Sequence, residues 1–140
     1  MSSTLLIGGS SDLGKALKKR INGNITELNT NDLDLSDIEK VKNFKIKNTY
    51  SKIVFLSAIN NPKALINTND EEILRSLNVN FISFIFLIKK ILKKNFIKKN
   101  KCNIVLMTSL YSKLGCEGRF SYSVSKHALL GIMRNICVEY

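Results

Sequence analysis

Apolar residues alternate along the chain between short unbroken runs and longer helical stripes. Thr4-Leu5-Leu6-Ile7, Ile25 to Leu28, Lys52 to Ala58 with Ile53-Val54-Phe55-Leu56 inside it, and Ile104-Val105-Leu106-Met107 have the length and β-branched content of buried parallel strands. Leu13, Ala16, Leu17 and Ile21 mark a helix that turns Lys15, Lys18, Lys19 and Arg20 to water. Ser36 with Glu39 reads as a capping box for a helix through Val41 and Phe44. Thr68 with Glu71 reads as the cap of a long helix whose first turn carries Asp70, Glu71 and Glu72 against the dipole. Within that helix Phe81 to Ile88 is apolar all round, which predicts burial against the sheet and a neighbour or partner subunit. Lys89, Lys90, Lys93 and Lys94 then alternate with Ile88, Ile91 and Leu92 as a solvated face, and Ser121 to Tyr140 forms a last helix. Strands alternating with helices predict an α/β fold with a mostly parallel sheet.

Composition narrows the function classes. The 140 residues, 44% hydrophobic and 24% charged, are the size and make-up of a single globular domain, without repeat, linker or low-complexity boundary. The longest apolar run is broken by Ser83 and ends at Lys89-Lys90, short of the roughly 20 residues of a membrane span. Met1 to Ser3 carries no basic region of a secretory leader. Cys102, Cys116 and Cys137 are odd in number and lack C-x-x-C spacing, so reduced thiols in a cytoplasm are expected, with neither a disulfide framework nor zinc. His127, the only histidine, sits beside Lys126 and turns to another helix face, which argues against a metal centre or a Ser-His-Asp triad. The net charge of +11 includes seven lysines between Lys89 and Lys101. No aromatic platform or helix-turn-helix accompanies them, so the charge reads as background and no nucleic-acid partner is expected; a basic nucleic-acid binder would instead show steep salt dependence.

Three features carry chemistry. Gly8-Gly9-Ser10-Ser11-Asp12-Leu13-Gly14 joins the first strand to the first helix, the setting in which backbone N–H groups and the helix dipole hold a pyrophosphate. Ser109 lies at the carboxyl end of a strand, where an open α/β sheet presents reactive groups. Tyr122 and Lys126, four apart on a helix, share one face. An ammonium beside a phenol favours phenolate and can draw a hydroxyl of pKa about 10 toward neutrality. A glycine loop, Gly115 to Arg119, precedes that helix.

With these residues the chain resembles the short-chain dehydrogenase/reductase family from Gly8 to Tyr140. The resemblance implies a Rossmann-like doubly wound sheet of five visible strands in the order 3-2-1-4-5, a domain incomplete at its C terminus, and association of subunits. It implies reversible hydride transfer between a nicotinamide and an alcohol or ketone. Tyr122 would exchange the proton, Lys126 would tune the tyrosine and hold the nicotinamide ribose, and Ser109 would bind the reacting oxygen. Asn80, in Val79-Asn80-Phe81, would anchor a proton relay through a water that satisfies its amide. Gly8, Ser10, Ser11, Asp12, Leu13 and Gly14 would receive the pyrophosphate. Asp12 stands where the family has its middle glycine, so it either caps the helix or weakens the phosphate site. Asp34-Leu35 resembles the segment that touches adenine, and Leu56-Ser57-Ala58-Ile59 replaces the family's Asn-Asn-Ala-Gly, placing Ser57 and Ala58 at the cofactor. Asn29 to Asp32, at the end of the second strand, holds neither a clear ribose-binding acid nor an arginine; NAD and NADP are both admitted, and the missing arginine tilts toward NAD. The rival reading is a nucleotide-binding chain without turnover.

Overall fold

In the computed structural model, which describes residues 3–140, the first strand sits at the centre of the chain's pairing. β1 (Ser3–Ile7) pairs in parallel with β2 (Asn24–Leu28) on one side and β3 (Lys52–Phe55) on the other, and β3 pairs with β4 (Asn103–Leu106). The sheet order is β2-β1-β3-β4. The helices are α1 (Asp12–Lys18), α2 (Ile38–Asn43), α3 (Asp70–Leu77), α4 (Ser83–Ile97) and α5 (Phe120–Glu139). The sheet is Rossmann-like, as the strand and helix pattern predicts.

Four strands form where five are expected. The segment between β2 and α2 could supply the outermost strand only through Leu33 and Leu35, and its polar neighbours bond locally instead. The Asn29 carbonyl accepts from the N–H groups of Asp32 and Leu33, and the Asp34 carboxylate accepts from the Ser36 N–H and hydroxyl. Backbone groups satisfied in turns have nothing left for a ladder. Leu33 and Leu35 still bury their side chains in the core. The third observed strand is also shorter than Lys52 to Ala58: its pairing ends with the Leu56 N–H on the Ile7 carbonyl, and Ser57 and Ala58 line a cleft.

The core lies on the sheet face carrying Leu5, Ile7, Ile53 and Phe55, against Val41 of α2, Phe84, Leu87 and Ile91 of α4, and Leu129 of α5. Phe55 and Phe84 meet at 4.5 Å between ring centroids. Burial of such side chains is worth about 1.5–3 kcal/mol each. On the opposite face of the edge strand β4, Val105 is 48% exposed.

The caps fall one residue later than the sequence pattern predicts. Asp37 caps α2, since the Ser36 hydroxyl is spent on Asp34. Asn69 and Glu72 form the capping box of α3, while the Thr68 hydroxyl donates to the Ala64 carbonyl. Lys90 and Lys94 are not simply solvated. Their ammoniums donate to the carbonyls of Lys42 and Phe44, and of Ile46 and Lys47, closing the C-terminal end of α2. The Phe81 to Ile88 run is divided: Phe84, Leu87 and Ile88 are buried, whereas Phe81 and Ile85 border an open groove of about 960 Å³ between α4 and α5.

Between α3 and α4 the helix widens into a π turn, Asn78–Ile82, in which the Ser83 N–H reaches back to the Asn78 carbonyl. Such turns insert a residue into a helix and occur often at functional sites. Here the turn aims three polar side chains at the sheet's carboxyl edge: Asn78 Nδ2 donates to the Ser36 carbonyl, the Ser83 hydroxyl to the Leu35 carbonyl, and Asn80 clasps Ile59.

Candidate active site

At the carboxyl ends of β1, β2 and β3 opens a cleft of about 330 Å³. Gly8, Ser10 and Ser11 from the glycine turn, Asp34 and Leu35, and Ser57 and Ala58 all line it. Gly8 has φ +83, and a Cβ there would sit 2.6 Å from the Ser57 hydroxyl oxygen, so only glycine lets the turn approach β3. A Cβ on Gly14 would strike the Gly9 carbonyl, which keeps α1 tight against the turn.

Ser11, not Asp12, caps α1: its hydroxyl accepts from the Gly14 N–H at 3.1 Å. Asp12 points into solvent and pairs with Lys15 at 3.3 Å. The Asp12 and Leu13 N–H groups open the helix without a partner among the described residues, as expected of a helix amino terminus. The Ser10 N–H is taken by the Asn29 side-chain oxygen at 3.0 Å, which ties the glycine turn to the end of β2. Glu27 is turned to Lys18 at 2.8 Å and lies outside the cleft. Hydrogen bonds from Ser36, then the charges of Arg75 and Lys40, hold the Asp34 carboxyl below its ordinary range.

The second group gathers where β4 meets α5. Lys126 is 1% exposed, and its Nζ donates to the Met107 carbonyl at 2.7 Å while lying 5.5 Å from the centroid of the Tyr122 ring. Burial pushes its ammonium down to about 8. Tyr122 is half-buried, packs edge-on against Tyr111 at 6.3 Å, and borders a small cavity with Ile59 and Ser76. The Cys116 side chain, by hydrogen bonding and by the negative charge of its thiolate form, raises the pKa of the neighbouring Tyr111 phenol. Ser109 follows β4, and its hydroxyl accepts from the Tyr111 N–H at 3.3 Å, capping the 3-10 turn Leu110–Ser112.

Asn80 is fully buried between the two groups. Its Oδ1 accepts from the Ile59 N–H at 2.6 Å, and its Nδ2 donates to the Ile59 carbonyl at 2.8 Å and to the Ser125 hydroxyl at 3.1 Å. That hydroxyl in turn donates to the Tyr122 carbonyl at 2.7 Å. The Asn80 amide is thus satisfied by Ile59 and Ser125, where the resemblance implies a water. The loop before α5 is laced to the one after β3: the Lys63 N–H donates to the Gly118 carbonyl at 2.8 Å and Arg119 donates to the Asn60 side chain at 2.5 Å. His127 turns its Nδ1 to the Ser123 carbonyl of its own helix.

Ile59 borders both the cleft and the small cavity beside Tyr122, so the two groups meet there. Sequence reasoning passes over Asn29, Arg75, Val79 and Ile59 as lining residues, and over Ser125. Spacing could have found Ser125, which lies inside the Tyr122-x-x-x-Lys126 turn, and Val79, beside Asn80. Nothing local marks Arg75.

The family model for short chain dehydrogenases matches residues 2–140, and the chain belongs to that family. The 3-oxoacyl-(acyl-carrier-protein) reductase FabG of Buchnera aphidicola subsp. Schizaphis graminum is 27% identical over 140 residues, 99% of this chain and 56% of that protein. The short-chain dehydrogenase reductase 3a of Arabidopsis thaliana is 30% identical over 105 residues, 72% of this chain and 40% of that one. The chain spans about half the length of the curated relatives it matches. Among solved structures, a 4-hydroxyisoleucine dehydrogenase complexed with NADH superposes with a TM-score of 0.87 at 18% identity, covering 99% of this chain and 68% of that one. ElxO with NADP bound gives 0.79 at 22% identity, covering 99% and 67%. At these identities the likeness establishes the fold. No described helix is long and apolar enough to cross a membrane.

Proposed function

We propose that the protein is an NAD(P)-dependent oxidoreductase that interconverts an alcohol and a ketone, with Tyr122 as the proton donor and acceptor. The observation that carries the reading is Lys126: a buried ammonium, fixed by the Met107 carbonyl, lies over the Tyr122 ring at the carboxyl edge of the sheet. Burying a lysine is costly, and a perturbed cation beside a phenol is what proton transfer needs. Family membership supports the same chemistry.

The cleft fits a dinucleotide. Gly8 clears the space a Cβ would fill, the Asp12 and Leu13 N–H groups at the start of α1 have no partner among the described residues, and Leu33, Leu35 and Val79 offer apolar surface beside Asp34. A bound nicotinamide supplies or takes the hydride. Tyr122 gives its hydroxyl proton to the substrate oxygen or takes it back. Lys126 stabilises negative charge on the phenol oxygen and holds the nicotinamide ribose. Ser109 turns its hydroxyl to the reacting oxygen, which requires it to leave the Tyr111 N–H or to share its lone pairs with it. Asn80 is a positioning residue: through Ile59 and Ser125 it fixes the loop after β3 relative to the Tyr122 turn.

A 3-oxoacyl carbonyl, named in the Buchnera relatives, is the first substrate class to try. Self-association belongs to the reading, supported by the apolar α4–α5 groove with Phe81, Ile85, Ile132 and Ile136 on its walls. A reducing cytoplasm suits the free Cys102, Cys116 and Cys137. The test is oxidation or reduction followed at the reduced-nicotinamide absorbance alongside cofactor binding. Tyr122→Phe should lower turnover by at least about a thousandfold, at the upper part of the range for acid-base groups, with cofactor affinity nearly unchanged. Comparable turnover in the variant sinks the role of Tyr122. Cofactor binding without any turnover in the native protein supports a nucleotide-binding role instead.

A further inference from the structure

The cleft carries one cation without a hydrogen bond or ion pair to its guanidinium among the described residues. Arg75 lines it from α3 and is exposed, and its guanidinium makes no hydrogen bond or ion pair with the described residues. Among the described residues it is the only Lys or Arg on the cleft wall, and it sits one helical turn before Val79, on the same face. Asp34 stands within reach of its charge, with its carboxylate already fixed by Ser36. Leu33 and Leu35 add apolar surface. No strand forms between β2 and α2, so this end of the cleft lacks the wall that a fifth strand would supply.

A guanidinium without a hydrogen-bond partner beside an apolar wall suits one kind of guest better than others. The guanidinium is planar, weakly hydrated, and stacks on π-faces, and a flat ring lying on Leu35 and Val79 would offer it such a face. We propose that Arg75 closes over the purine ring of a bound adenine nucleotide, its guanidinium stacked on the ring, as the adenine clamp of this cleft. The proposal rests on the dinucleotide reading of the same cleft. Its position argues for the ring over a ribose phosphate: Arg75 comes from α3, beside Val79 and Asp34, whereas Asn29 and Thr30 occupy the end of β2, where ribose hydroxyls are received. The carboxylates of Asp32 and Asp34 also make that region a poor one for a further phosphate.

Titration calorimetry with NADH, NADPH, 5′-AMP and reduced nicotinamide mononucleotide tests it on the native protein, Arg75→Ala and Arg75→Lys. Arg75→Ala should weaken the three adenine nucleotides by a similar factor, roughly five- to tenfold, and leave the mononucleotide unaffected. Arg75→Lys should not restore the loss, because an ammonium lacks the stacking plane. Unchanged nucleotide affinity in Arg75→Ala overturns the clamp, as does full rescue by lysine. A loss confined to NADPH also overturns it, in favour of pairing with the 2′-phosphate. If the native protein binds no adenine nucleotide, the dinucleotide reading falls with the clamp; native binding that Arg75→Ala leaves intact removes the clamp alone.

Discussion

Two buried asparagines hold the two ends of β3, and they do it in the same way. Asn95, in α4, accepts from the Tyr50 N–H at 3.4 Å and donates to the Tyr50 carbonyl at 2.7 Å, before the strand begins. Asn80, in the π turn, does the same for Ile59 at 2.6 and 2.8 Å, after the strand ends. Each carboxamide replaces the ladder partner that an isolated backbone residue lacks, so neither asparagine is an unsatisfied polar group in the core. The difference lies in what surrounds them. Asn95 adds nothing beyond Tyr50, whereas Asn80 also donates to Ser125, whose hydroxyl donates to the Tyr122 carbonyl. One clasp is a fastener; the other joins the loop after β3 to the helix that carries Tyr122 and Lys126. A buried polar residue thus declares its role through its second set of partners, not through its burial.

The comparison breaks most decisively at Asn80. Asn80→Ala orphans the Ile59 N–H and carbonyl, which should cost about 3 kcal/mol in denaturant unfolding and also lower turnover per folded molecule. If stability falls and turnover holds, Asn80 is no more than a second Asn95.

The two ends should differ next in their response to pH, because the buried ammonium of Lys126 lies in the helix turn that Asn80 reaches through Ser125. An unfolded lysine keeps its proton up to an ordinary value of 10.5, while buried Lys126 releases its own from about 8. Between those values the lysine holds more proton in the unfolded chain, so its contribution to stability rises with pH, against an opposite contribution from the Cys102 thiol, which burial pushes up to about 11. The gain should be on the order of 2 to 3 kcal/mol and be absent in Lys126→Met, with the variant the more stable of the two below pH 8. Parallel unfolding profiles for the two proteins across that window would show that Lys126 is well solvated.

Asn95→Ala should have the smallest effect, about 2 kcal/mol of stability, with turnover per folded molecule intact. A catalytic defect there would mean that β3 transmits disorder from one end to the other, and the distinction between fastener and coupling would be lost.

The strands and helices could be read directly because burial on both faces forces continuous apolar runs in parallel strands, and one-sided burial forces a helical stripe. Leu5 to Ile7 and the buried Phe84, Leu87, Ile88 and Ile91 of α4 show each rule, whereas Leu13 and Ala16, read as part of a buried stripe on α1, are exposed. The family could also be read, since the glycine turn and the Tyr122-Lys126 pair lie within single elements whose local geometry places them. Residues that act across elements were beyond reach of any local rule. Arg75 on the cleft wall and Lys90 and Lys94 on the carbonyls after α2 depend on neighbours distant in sequence, whereas Asp37 takes the cap from Ser36 because of a bond only two residues long, Ser36 to Asp34.

The sequence by itself determined the alternation of elements, the parallel sheet, the glycine turn and the phenol-ammonium pair, because periodicity, glycine conformation and i,i+4 spacing are properties of short segments. Only the tertiary structure decided that the outermost strand is replaced by turns, that Asn80 clasps Ile59 through a π turn, and that Lys126 is buried against the Met107 carbonyl. A hydrogen bond is chosen among all donors and acceptors that folding brings within about 3 Å, and most of the deciding partners here lie 19 to 48 residues away.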